Sequence, residues 1–304
     1  MMVTMSLVIA DGLLDMNKHI IVGKDIKEMD TLGNIELNKI YCCDCYQKIK
    51  EIPDKSIDCI YTDIPYLYNQ GGSGTSSLGE RTAKKRLELM GLEQNYLDNK
   101  GKSRGEALRI AKNVKKANME ITSIEDGIDY KIFDDMVRVM KKINIFIWCS
   151  KLQILDILKY FVDIKNCYFE ILTWNKTNPT PTTNNSWLPD IEYCLYFREK
   201  GVVLNDGYEL KSKYYMSTAN VYDKDKFKHP TIKPLNLVER HIKHTTQEND
   251  IVLDCFCGSG TTCVACKNTN RNYIGIEKNP KWYKIAVDRL NNIQANGQQT
   301  LFTV

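Results

Sequence analysis

The sequence predicts an α/β fold: a doubly wound, mostly parallel sheet with one antiparallel hairpin. Three observations predict it. Apolar strand-like runs alternate with helical stretches along most of the chain, the texture of parallel strands joined by crossover helices. Two early runs, Ile35–Cys45 and Ser56–Thr62, end in Asp44 and Asp63, as buried strands do when the loops at their carboxyl ends carry function. Near the C-terminus a βαβ unit holds a glycine turn, with strand Ile251–Leu253, helix Thr261–Asn268 and strand Tyr273–Ile276.

Composition bounds the class. At 304 residues, with 43% hydrophobic and 26% charged, the chain is an ordinary globular protein, which excludes a disordered tail protein, a collagen-like chain and a disulfide scaffold. No run of about 18 apolar residues suggests a membrane helix. The N-terminal apolar stretch lacks preceding basic residues and is broken by Asp11, so it does not read as a signal peptide. The eleven cysteines are odd in number and cluster in apolar runs, which fits free thiols in a reducing cytoplasm. Cys263 and Cys266 have half of a zinc spacing, but with four histidines and no second such pair they read as core, and no metal is expected.

Taken in order, residues 1–34 form an N-terminal extension, and the two acid-ended strands follow. From 67 to 127 the texture turns to Gly, Ser, Lys, Arg and Asn, too long for a plain connection and therefore a functional insertion. Regular elements resume with helix Tyr130–Lys141, strand Asn144–Cys149 and helix Leu152–Phe161. Strands Tyr168–Trp174 and Glu192–Phe197 make the hairpin, and a second polar insertion spans 199–228. After the βαβ unit a last helix runs from Pro280 to about Ile293, leaving a tail at 294–304. One catalytic domain over 35–293 with two insertions accounts for the length.

The glycine turn points to a ligand. Gly258 and Gly260 follow strand residues Val252–Asp254, and Glu277 ends the next strand 17 residues after Gly260, placed for the two hydroxyls of a ribose. The third glycine of the dinucleotide fingerprint is replaced by Thr261-Thr262. Asp254 sits where a pyrophosphate would lie; its carboxylate repels phosphate but accepts from an ammonium. A nucleoside joined to an amino acid is implied, which describes S-adenosylmethionine. The alternative is a tight turn without a nucleotide.

Asp63-Ile64-Pro65-Tyr66 leaves the second strand. Proline fixes the backbone there and removes a donor. The Asp63 carboxylate and Ile64 carbonyl become neighbouring acceptors beside an aromatic ring. Such a set suits a planar group with an exocyclic NH₂, two hydrogens to two acceptors and the ring stacked on its face. A turn with a packed tyrosine is the alternative.

With these motifs the chain resembles the amino-group DNA methyltransferases of the beta arrangement, in which an Asp-Pro-Pro-Tyr-like tetrapeptide precedes the cofactor turn. Three more segments carry the resemblance. Ile40–Cys45 with Ile52–Asp58 is similar to the family's lead-in to the cofactor adenine. His229-Pro230-Thr231-Ile232-Lys233-Pro234 is similar to its His-Pro-Thr-Gln-Lys-Pro box at the methionine end. Trp174-Asn175-Lys176 resembles its later target-side strands. Ile64 and Ile232 depart from the pattern; Ile64 keeps the carbonyl that the family uses, with a less rigid turn.

The resemblance implies a seven-stranded Rossmann-like methyltransferase sheet, circularly ordered with the cofactor turn near the C-terminus. It implies site-specific methyl transfer to N6 of a flipped-out adenine in double-stranded DNA, with N4 of cytosine, or a catalytically weakened cofactor- and DNA-binding protein, as alternatives. Asp63, Ile64, Pro65 and Tyr66 are the implied catalytic residues. The implied cofactor contacts are Asp44, Cys45, Asp63, His229, Thr231, Lys233, Pro234, Asp254, Cys255, Phe256, Gly258, Gly260, Thr261, Glu277 and Lys278.

The net charge of +4 is uneven. Residues 80–120 hold eleven Lys/Arg against six Asp/Glu, a local +5, so the remainder nets −1. In Ser103–Glu120, Leu108, Ala111, Val114 and Ala117 line one helical stripe, with Arg109, Lys112, Lys115 and Lys116 largely off it, which suits a helix on DNA phosphates or a solvated face. Lys211 and Lys213, in the insertion at the family's target-recognition position, are further DNA-contact candidates. Gln298–Phe302 resembles a peptide that docks on the bacterial sliding clamp, and a homodimer is the other partner expectation.

Overall fold

A computed structural model describes residues 31–67, 127–179, 187–218 and 232–299. A hairpin of β1 (Thr31–Leu32) and β2 (Ile35–Glu36) precedes the main sheet. The expected single strand over 35–45 is broken, because Asn38 takes a left-handed φ of 58° and the chain restarts as β3 (Lys39–Tyr41). Among the described residues seven further strands join β3. They are β4 (Cys59–Asp63), β5 (Asn144–Cys149), β6 (Tyr168–Lys176), β7 (Ile191–Arg198), β8 (Tyr214–Ser217), β9 (Ile251–Asp254) and β10 (Asn272–Ile276).

Their order is β3-β10-β9-β4-β5-β7-β6-β8. The first five strands are parallel and β7 runs against both its neighbours, which supplies the expected hairpin with β6. The seven expected strands are all present. The eighth, β8, comes from the second insertion and pairs parallel to β6, Trp174 opposite Tyr215. It escapes periodicity because it has four residues and buries none of them fully.

Helices cover both faces. On one side lie α1 (Cys45–Lys48), α2 (Ile132–Val139) and α3 (Ile154–Leu158), the last running on into a π-helical turn at Lys159–Ile164. On the other lie α4 (Leu235–Thr245), α5 (Thr261–Asn268) and α6 (Pro280–Gln299), the last longer than expected. α2 buries Ile132, Phe133, Met136 and Val139 against Ile57, Phe161 and Phe197. This is the one-stripe pattern of a helix that packs on a sheet. α4 buries Leu237, Val238, His241 and Ile242 against Tyr61, Phe146 and Trp148.

A buried polar tie crosses this second core: Trp148 Nε1 donates to the Tyr61 hydroxyl at 3.0 Å, which lies 3.2 Å from His241 Nδ1. Burial pushes the His241 pKa down to about 3, so the ring is a neutral packing element. Cys263 and Cys266 are fully buried in the same core. Among the described residues no helix is long and apolar enough to cross a membrane.

Candidate active site

The parallel half of the sheet sets four acids in one row. β3, β10, β9 and β4 are successive neighbours, and just past or at their carboxyl ends stand Asp44, Glu277, Asp254 and Asp63 respectively. Residues far apart in sequence therefore line one edge, where open α/β sheets bind ligands.

The glycine turn sits between the middle two acids. Asp254 is buried, and its Oδ1 accepts from the Phe256 amide at 3.1 Å. Burial raises its pKa to about 7, and among the described residues no cation pairs with it. Glu277 accepts from Gly258 N at 2.9 Å and from Asn279 N at 2.7 Å, one bond to each oxygen. Burial raises its pKa as well. Each oxygen keeps a second lone-pair direction.

Gly258 and Gly260 both have positive φ, 50° and 78°. The space at Gly260 is used inside the protein: a Cβ there would come within 2.9 Å of Ala286 Cβ on α6. Close ligand approach, the reason the sequence suggests for both glycines, is thus joined at Gly260 by a packing reason that only the fold supplies. Arg289, also on α6 and buried, donates to the Ser259 carbonyl at 2.8 Å and to Thr261 Oγ1 at 3.1 Å. It clamps the turn from behind.

At the edge of the row, Lys278 Nζ meets Asp44 Oδ2 at 2.8 Å and lowers the Asp44 pKa. Asp44 Oδ1 caps α1 through the Tyr46 amide. Of the other expected cofactor contacts, Cys45 and Cys255 are buried in the core, and burial raises the thiol pKa of Cys45 to about 12. Pro234 opens α4. His229 and Thr231 lie outside the described residues, as do Arg109, Lys112, Lys115 and Lys116. Ile232, where the family has glutamine, is buried core.

The tetrapeptide turn is held by three contacts. Ile64 N donates to the Trp148 carbonyl at 3.2 Å. Gln153 Nε2 donates to the Pro65 carbonyl at 2.9 Å, while its Oε1 takes the Ser150 amide. Ser150 Oγ donates to the Leu67 carbonyl at 2.8 Å. Gln153 is completely buried, and its role as the brace of this turn is not legible in the sequence. Ser150 is findable there, because it follows strand Asn144–Cys149 at the same carboxyl edge.

Lys233, expected among cofactor contacts, has its ammonium against Asp63. Its Nζ is 2.5 Å from Asp63 Oδ2, 3.1 Å from Glu192 Oε2 and 3.3 Å from the Tyr66 hydroxyl. Lys176 closes the far side of Glu192 at 2.5 Å. Burial works against the Lys233 ammonium, but Asp63 and Glu192 outweigh it and hold its pKa above the ordinary value. Burial would likewise raise Glu192, yet Lys233 and Lys176 bring it down to about 2. Burial raises the Asp63 pKa and Lys233 opposes the rise. Asp63 Oδ1 is buried and has no hydrogen-bond partner among the described residues. The arrangement offers a carboxylate with one oxygen anchored and one left to accept from a ligand.

On the second insertion Lys211 pairs with Asp206 at 2.7 Å and Lys213 with Glu170 at 2.6 Å, all four side chains exposed.

Comparison with known proteins agrees with this geometry. The family model N6_N4_Mtase, described as DNA methylase, matches residues 57–288. The chain is 29% identical to the Type II methyltransferase M2.LlaDCHI of Lactococcus lactis subsp. cremoris, over 82% of this chain and 87% of that one. It is 28% identical to the Type II methyltransferase M2.DpnII of Streptococcus pneumoniae, over 81% and 87%. Among solved structures, the M1.HpyAVI-SAM complex superposes with a TM-score of 0.52 at 26% identity, covering 83% of this chain and 98% of that one.

Proposed function

The chain belongs to the DNA methylase family whose model spans residues 57–288, and we propose that within it the protein methylates N6 of a flipped-out adenine at a specific site in duplex DNA. It is a DNA methyltransferase that uses S-adenosylmethionine. The observation that carries the adenine reading is Asp63, an acid at the head of the tetrapeptide whose buried Oδ1 has no hydrogen-bond partner among the described residues.

The residues present fit the methyl donor. Asp254 is a buried carboxyl with no cation paired to it among the described residues, suited to an amino acid's ammonium. Glu277 is fixed by two backbone amides and keeps acceptor capacity for ribose hydroxyls. Asp44, at the far end of the row, is suited to the adenine. When bound, S-adenosylmethionine supplies a sulfonium methyl already activated for direct displacement.

The chain's own residues then prepare the acceptor. An aromatic amine has its lone pair delocalised into the ring and is a weak nucleophile. Asp63 Oδ1 and the Ile64 carbonyl accept its two hydrogens, draw the nitrogen toward tetrahedral geometry and stabilise the charge that develops on it. Tyr66 stacks on the extruded base. The amine would take the methyl as the donor's carbon–sulfur bond breaks to leave a neutral thioether, and the methylated cation would lose one proton to water, so Asp63 need not act as a strong base. Gln153 and Ser150 keep the turn in place, and proximity supplies much of the remaining rate.

DNA is the partner. Contacts through Arg109, Lys112, Lys115, Lys116, Lys211 and Lys213, pairing with a second copy, and clamp docking through Gln298–Phe302 belong to the proposal, the last two tested by sedimentation and by peptide binding. The alternative reaction, at N4 of cytosine, would present a similar amine to these acceptors, but in the family a serine rather than an acid usually heads the tetrapeptide of such enzymes. Single-molecule sequencing of unmodified genomic DNA after incubation with protein and donor tests the reading. It predicts modified adenine at every copy of one short motif; unmodified DNA, or modified cytosine, contradicts it.

A further inference from the structure

Asp63 faces a difficulty in the proposed reaction. Its task is to stabilise positive charge arriving on the amine, yet a buried ammonium, Lys233, already sits 2.5 Å from its Oδ2. A carboxylate neutralised by its own salt bridge gives the amine little field. The structure holds a second carboxylate against the same ammonium, Glu192 at 3.1 Å, and a second lysine, Lys176, beyond it at 2.5 Å. The four groups alternate in sign along β6, β7, the segment before α4 and β4, and they sum to zero charge.

We propose that Glu192 is a positioning residue for methyl transfer: it shares the Lys233 ammonium, so that Lys233 anchors Asp63 Oδ2 without cancelling the charge that Asp63 Oδ1 presents to the amine. This rests on the methyltransferase reading above and extends it to a residue that does not touch the substrate.

Several observations support it. Lys233 is 7% exposed on its side chain, so water does little to screen its pull on Asp63. Glu192 is held ionised by the two lysines. Lys233 Nζ also lies 4.9 Å from the Trp148 ring centroid and 5.5 Å from that of Tyr66, which confines it between the catalytic turn and β5. Among the described residues the remaining titratable groups that face Asp63 are the hydroxyl of Tyr66, the thiols of Cys149 on β5 and Cys194 on β7, Tyr61 on β4, and Asp254 on β9. None of these carries a positive charge, so Lys233 and Glu192 set the local balance.

Replacing Glu192 by glutamine keeps its shape and leaves two lysines against one carboxylate, a net charge of +1 beside a reaction centre that is itself gaining positive charge. The test uses the full chain and measures single-turnover methyl transfer to duplex DNA together with S-adenosylmethionine affinity. Glu192→Gln is expected to slow transfer at least tenfold while donor affinity changes less than threefold. The double variant Lys176→Met/Glu192→Gln returns the cluster to neutrality and is expected to transfer faster than Glu192→Gln alone. Glu192→Asp, which keeps the charge, is expected to stay nearer the wild type than Glu192→Gln does. A merely structural role predicts the opposite order, with the double variant slower than the single. Transfer by Glu192→Gln within threefold of wild type, or no recovery in the double variant, overturns the proposal. A wild-type protein that methylates no DNA overturns the function itself, a result distinct from either.

Discussion

Lys233 Nζ and Asp63 Oδ2 lie 2.5 Å apart although 170 residues separate them in the chain. The contact joins the Asp63–Tyr66 turn to the segment that leads into α4, and in the proposed reaction it divides the work of the Asp63 carboxylate. One oxygen is anchored by the lysine and the other is buried with no hydrogen-bond partner among the described residues.

Asp63→Ala removes both functions. Loss of a preorganised group at a developing charge costs about 10²–10³ in rate, so methyl transfer is expected to fall at least that far. Donor affinity, which the proposal assigns mainly to Asp254 and Glu277, is expected to stay within a few fold. Single-turnover transfer and calorimetric titration of S-adenosylmethionine check the two halves separately.

Asp254 makes donor binding depend on pH. Its pKa of about 7 in the unliganded protein means that it is half protonated near neutrality, while an ammonium favours the carboxylate. Affinity is therefore expected to rise as pH increases through 7. It falls again once the ligand's own amino group deprotonates, at about 8 for an ordinary α-amine. Asp254→Asn is expected to weaken binding and flatten the rising limb in the same titration.

The same group carries a stability signature. A carboxyl whose pKa is raised by folding holds its proton more tightly in the folded state, so its contribution is most favourable below the unfolded pKa and declines as pH rises toward 7. In the absence of donor, Asp254→Asn is expected to melt at a higher temperature than wild type at pH 8 and to lose that advantage at pH 4. Thermal unfolding at the two pH values checks the sign.

Gly260→Ala is expected to destabilise the fold by about 1–3 kcal/mol, through left-handed strain and overpacking. The added methyl would meet Ala286 Cβ at 2.9 Å and Ala286 Cα at 3.3 Å. Ala286→Gly in the same chain relieves the first contact but neither the second nor the φ of 78°, so denaturant unfolding is expected to show partial recovery only.

Charge reversal of Lys112, Lys115 and Lys116 tests the basic insertion. If each lysine neutralises one phosphate, the slope of log affinity against log salt becomes shallower by about 0.9 for every phosphate left without its lysine. Binding is expected to weaken on every DNA sequence alike, as fluorescence anisotropy across a salt series reports.

How much of this is legible in the sequence depends on the range of the interaction. β4, β5, β9 and β10 are buried on both faces and read as continuous apolar runs, so their places and their acidic ends are visible. The acids Asp44, Asp63, Asp254 and Glu277 are visible at their strand ends, but their order in the row is set by the strand order, which only the sheet shows. Contacts set only by tertiary packing are not visible. The box suggests only a place for Lys233 near the methionine end, and the fold alone shows its Nζ against Asp63 and Glu192. Gln153 and Arg289 look like ordinary helix residues, and only the folded chain shows them bracing the two turns. β8 is hidden because a four-residue edge strand with no fully buried side chain leaves no periodic trace.

The most direct test of the central claim is mass spectrometry of nucleosides from unmethylated duplex DNA incubated with the protein and a donor carrying a deuterated methyl group. The account predicts labelled N6-methyladenine with wild type and none with Asp63→Ala. Label on cytosine N4, or no label on DNA, would contradict it.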